Sequence, residues 1–85
     1  MTAAEDPDPL RRHEEQLTEI SARIVALVRQ FIEEERILAT ARQSAGLPRT
    51  DLSRENEMVR YYADELKTGG ANLALTLLLM RRGRG

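Results

Sequence analysis

Asp51, Arg54 and Glu55 fall within little more than one helical turn, and Glu55 interrupts an otherwise apolar stripe of Leu52, Val59, Tyr62 and Leu66. A glutamate carried toward a core needs a partner, because an unpaired buried charge is expensive. A guanidinium suits that task, since it grips a carboxylate with two parallel bonds, and twelve of the thirteen basic residues here are arginine. Arg42 is a further guanidinium near the end of a long periodic segment. Asn72 and Thr76, one turn apart, are the polar interruptions of an apolar stretch. Each has a plainer reading beside the functional one. Asp51 is a natural helix cap, Arg42 complements a helix C-terminus, Arg54 and Glu55 form a first-turn pair, and Asn72 and Thr76 face water. There is no cysteine, which excludes disulfides and cysteine metal sites, and His13 alone builds no histidine site.

Three helices must position these groups. From Leu10 to Ala45 there is neither glycine nor proline, and apolar residues recur at Leu17, Ile20, Ile24, Leu27, Phe31, Leu38, Ala41 and Ala45. Steps of three and four predict one long helix, ended by Gly46 and Pro48. The stripe has one gap at Glu34 and Glu35. The run Glu33–Glu35 reads as a solvated face, yet Glu34 or Glu35 must approach the stripe. A second helix starts at Asp51 and breaks at Lys67-Thr68-Gly69-Gly70. A third runs from about Ala71 to Met80, apolar nearly all round and therefore expected to be buried. Residues 1–9 read as a disordered acidic tail, 10–82 as one helical domain, and the basic end from Arg81 as flexible, with 83–85 a tail outside the domain.

A helix of about 36 residues is roughly 54 Å long, whereas a compact chain of this length is only roughly 30 Å across. Two short helices cannot cover the long stripe. A second copy can, so an intertwined homodimer is expected. The alternative is a helix kinked near Glu33–Glu35 and folded into a monomeric four-helix bundle.

The net charge of −1 argues against non-specific nucleic-acid binding, which needs a dominant positive field. The apolar run Leu73–Met80 is too short to span a bilayer. The acidic N-terminus lacks the basic start and apolar stretch of an export signal, so a cytoplasmic protein is expected.

Helices of long, medium and short length, in that order, resemble the all-helical chorismate mutases. Ala22–Val28 looks like that family's first-helix core, Thr40–Gly46 like the end of that helix with its conserved-type basic residue, and Asp51-Leu-Ser-Arg-Glu55 like the start of its second helix. Arg42, Asp51, Arg54 and Glu55 fall at the family spacing without a gap. Leu77–Gly85 is similar to the tail of the short intracellular subclass, whose members bind a DAHP synthase. The resemblance implies a Claisen rearrangement of chorismate to prephenate in a pocket shared by two protomers, with no cofactor and no metal. It implies that Arg42 donates to the ether oxygen, Arg54 binds a substrate carboxylate, Glu55 accepts from the substrate hydroxyl, and Asp51 binds near that hydroxyl through its backbone. Asn72 and Thr76 match the third helix's polar pair.

Two positions depart from the pattern. Counting back from Arg42, the family's mid-helix arginine falls on Phe31, and the arginine that crosses to the partner's site falls on Glu14. Phe31 cannot hold a carboxylate, and its place on the stripe reads as core; Glu14 repels one. Losing a buried charge partner costs about 2–5 kcal/mol, and each ~1.4 kcal/mol is a factor of ten. Arg11, three residues before Glu14, is the nearest substitute, with Arg12 and Arg29 as others. Three functions stay open: a chorismate mutase, a repurposed pocket for a less charged substrate, and a non-catalytic helical dimer that binds a partner such as a DAHP synthase.

Overall fold

The computed structural model describes residues 8–82. Asp8 opens the first helix, α1 (Pro9–Ser44): its carboxylate accepts from the Arg11 backbone N–H at 3.2 Å, and Pro9 follows at the first helical position. Proline suits that position because its missing N–H would have no intrahelical partner anyway. Asp8 and Pro9, expected within a disordered tail, are the helix start instead; the rest of that expectation, 1–7, lies outside the described residues, as does 83–85.

At the other end the Leu47 N–H reaches back to the Arg42 carbonyl (2.8 Å) and the Gly46 N–H to that of Gln43 (3.0 Å), with Gly46 left-handed at φ 80°. This double closure satisfies carbonyls that the helix leaves orphaned, and glycine adopts the conformation without strain. α1 is one continuous helix, so the kinked four-helix alternative is not realised.

The second helix, α2 (Leu52–Leu66), is capped by Asp51, whose Oδ1 accepts from the N–H groups of Ser53 and Arg54. Lys67 and Gly69 carry positive φ at the reversal, and α3 (Gly70–Arg82) follows. Gly70 begins α3 because it must lie against the end of α2: a Cβ there would sit 2.8 Å from the Tyr62 carbonyl carbon and 3.1 Å from the Ala63 Cα. Backbone cannot retreat as a flexible side chain does. Gly70→Ala is expected to destabilise the protein by about 1–3 kcal/mol, read as a lower urea midpoint with an unchanged slope.

α3 packs on both α1 and α2, and the buried apolar side chains, Ala74, Leu77 and Leu78, all belong to it. Two expectations for this helix need correction. It runs two residues past Met80, through Arg81 and Arg82, because Arg81 is anchored by acidic partners described below. It is also not buried all round: Leu73, Leu75, Leu79 and Met80 are exposed, since one chain supplies too few neighbours to enclose them. The chain measures 67 × 25 × 20 Å. Every residue from 8 to 27 is exposed, including the stripe residues Leu17, Ile20, Ile24 and Leu27 at 44–62 %. No helix among the described residues is long and apolar enough to cross a membrane.

Candidate active site

The middle of α1, the start of α2 and the end of α3 meet at a polar centre. Glu35 of α1 and Glu55 of α2 are buried, at 6 % and 7 % exposure. Arg54 Nη2 donates to both oxygens of Glu35 at 2.9 and 3.0 Å. Arg81, from the last turn of α3, places Nη1 3.1 Å from Glu35 Oε1 and 2.7 Å from Glu55 Oε2. Two carboxylates and two guanidiniums thus share one site, which makes their burial tolerable. Burial works against the Arg81 cation, but its contacts with Glu55 and Glu35 and the attraction of both charges outweigh it, so its pKa is raised. A base with a raised pKa contributes stability that is fully present below its ordinary value and lost only as pH rises through the shifted one. For arginine this keeps the pairing intact across the neutral range.

Beside this centre, Arg42 closes the α1–α2 connection. Its Nε donates to the Pro48 carbonyl at 2.6 Å, and its Nη1 lies 3.8 Å from Asp51 Oδ2. Asp51 in turn caps the N–H of Arg54 through its side chain and that of Glu55 through its carbonyl. Arg42 thus meets Asp51, and Asp51 meets the backbone of Arg54 and Glu55, whose side chains turn to Glu35 and Arg81. Arg54 Nε is buried without an acceptor, which leaves one donor at the centre unspent.

The other sequence candidates lie apart. Asn72 and Thr76 are exposed on α3. Phe31 is half-buried on α1, one turn before Glu35 and on the same face. Arg11 and Glu14 are exposed in the first half of α1. Glu14 lies roughly 30 Å along the helix axis from Glu35, at ~1.5 Å per residue, too far to join the centre of its own chain.

Two principal residues escaped the sequence reading. Glu35 left a partial signal, as one of two glutamates filling the gap in the α1 stripe. Arg81 left none, because arginine-rich composition next to a glycine reads as a loose end.

A groove of about 720 Å³ adjoins the centre, with Arg36, Arg49, Arg81 and Arg82 on its walls. No group of three or more metal-binding side chains converges among the described residues.

Fold and centre together define a small all-α protein whose polar heart is built from arginine–carboxylate pairs contributed by three helices. The chain is 34 % identical over 82 residues to the intracellular chorismate mutase of Mycolicibacterium smegmatis, an alignment spanning 96 % of this chain and 76 % of that protein. It is 36 % identical over 70 residues to the intracellular chorismate mutases of Mycobacterium bovis and Mycobacterium tuberculosis, spanning 82 % of this chain and 66 % of each of those. No family model matches, and no solved structure matches significantly. The chain belongs to the intracellular chorismate mutase family.

Proposed function

We propose that the protein is an isomerase that converts chorismate to prephenate, in a pocket lined by two copies of the chain. The observation that carries this reading is the meeting of Arg42, Asp51, Arg54 and Glu55 at the α1–α2 junction of a chain from this family. The reaction is internal to the substrate: an ether C–O bond breaks while a C–C bond forms. The protein's task is to hold the reactive conformer and to place donors where negative charge grows. Arg42 serves the ether oxygen, Arg54 a carboxylate and Glu55 the hydroxyl, with the Asp51 backbone beside it. Asn72 and Thr76 supply further polar contacts once a pocket is enclosed. Arg11 of a second copy stands in for the crossing arginine whose place Glu14 holds, and Phe31 forms an apolar wall.

The homodimer is part of the proposal. The exposed stripe of Leu17, Ile20, Ile24 and Leu27 supports it, because the described residues of the same chain leave that stripe uncovered. A DAHP synthase as partner rests on the resemblance of Leu77–Gly85 to the tail of the intracellular subclass. A cytoplasmic place for the chain follows the word intracellular in its relatives' names.

One observation favours the second reading, a substrate with fewer negative charges. Arg54 already holds both oxygens of Glu35, so a substrate carboxylate must displace an internal one. Phe31 and Glu14 point the same way. The loss of chorismate's ultraviolet absorbance, followed with and without a DAHP synthase, decides between them. Turnover well above background is expected, and Arg42→Ala is expected to lower kcat by about a hundredfold or more. Absence of turnover that Glu14→Arg with Phe31→Arg restores sinks the first reading in favour of the second. Absence without restoration sinks both.

A further inference from the structure

We infer that the groove beside the polar centre is a binding site for a small oxyanion carrying two or more negative charges, separate from the site that Arg42 serves. Four arginines from three elements line it: Arg36 of α1, Arg49 of the α1–α2 connection, and Arg81 and Arg82 of α3. They face a single lining carboxylate, Glu35, and that one is already engaged by Arg54 and Arg81. Arg36 and Arg82 have no acidic partner among the described residues, and Arg49 donates only to the neutral Gln43 amide at 2.7 Å. The carbonyl end of α3 contributes only about half a negative charge, so the groove keeps a clear positive excess in a chain whose net charge is −1. A concave wall of one sign focuses its field and draws counter-ions. The hydroxyls of Thr40 and Thr50 add neutral donors on the same walls.

Arg42, Asp51, Arg54 and Glu55 are not on the groove's walls, which meet the polar centre at Glu35 and Arg81. At ~100° per residue, Arg36 and Thr40 lie about 120° and 160° around α1 from Arg42, whereas Glu35 lies about 20° from it. The ligand class follows from the donors. Planar guanidiniums bind phosphate and carboxylate oxygens in pairs, and three of them free of carboxylate suit a diphosphate, a phosphorylated small molecule or a tricarboxylate. A cavity of about 720 Å³ has room for a molecule of that size.

The test uses the whole chain and needs no chorismate. Inorganic pyrophosphate and, separately, citrate are titrated at constant ionic strength, with backbone amide NMR shifts and thermal melting as readouts. Saturable shifts are expected at Arg36, Thr40, Arg49, Thr50 and Arg82, together with a rise in Tm. Response to pyrophosphate alone assigns the site to phosphates, and response to both assigns it to polyanions generally. Arg36→Gln with Arg82→Gln, both exposed and expected to fold, should weaken binding by about tenfold or more. Arg60→Gln, exposed on α2 away from the groove, should leave it unchanged. Non-saturating shifts spread over the surface, or equal affinity in the double variant, would overturn the inference. So would the absence of any response to both pyrophosphate and citrate. Turnover of chorismate is read by none of these measurements, so the outcome is independent of the proposed reaction.

Discussion

Arg81→Met is expected to melt at least about 12 °C below the parent chain. Among the described residues, Arg81 alone touches both buried glutamates, and its own side chain is only 10 % exposed. Methionine matches its stem and removes its charge. Glu35 then keeps Arg54, whereas Glu55 keeps no cation. Removing one partner of a buried ion pair costs about 3–5 kcal/mol, because the remaining charge stays desolvated. In a domain of this size each kcal/mol lowers Tm by about 4–8 °C. Arg82→Met, one residue further on and exposed, is the control and should shift stability by less than about 0.5 kcal/mol. Glu55→Gln placed on the Arg81→Met background should recover part of the loss, since it removes the stranded charge. Equal melting of the Arg81 and Arg82 variants in a calorimetric scan would show that the ion cluster does not hold the helices together.

The second large effect concerns assembly. Under the proposed two-chain architecture, Ile20→Asp with Ile24→Asp should convert the protein from a dimer to single chains in sedimentation at micromolar concentration, and should abolish chorismate turnover. Both isoleucines are exposed in the single chain, on the stripe that another surface must cover. Both are about half exposed, at 44 % and 55 %, so burying what remains contributes about 0.7–1.5 kcal/mol each. A two-fold interface loses four such side chains, about 3 kcal/mol at the lower bound, or roughly two orders of magnitude in the dissociation constant. The aspartates add a desolvation penalty. A parent chain that already sediments as a single copy would remove the basis for a shared pocket.

Much of this architecture is legible in the sequence. The absence of glycine and proline from Leu10 to Ala45 marked α1, Gly46 marked its end, and Asp51 marked the cap of α2, because each is a local signal with a local cause. The pair Asp8-Pro9 carried an equally local signal that the acidic, proline-bearing composition around it obscured. Glu55 was legible as a charge that would need a partner. The partner itself was not, since Arg81 lies 26 residues later in a separate helix and only the direction in which α3 returns brings the two together. Glu35 was half legible for the same reason: a break in periodicity marks a departure, not what answers it. The exposure of α3 is not legible in the sequence, because an apolar run states a demand for cover without stating which chain meets it.

Every residue in the leading portion of α1, residues 9–27, is exposed. Propensity alone holds a helix weakly in water, and lasting order comes from packing along one side. Its straightness is thus conditional: the forward arm stiffens only when something lies along it, while the rear half of α1 keeps its shape against α3. Under the proposed two-chain architecture, chain abundance becomes a folding variable, and the rod grows rigid at the moment of encounter rather than before it.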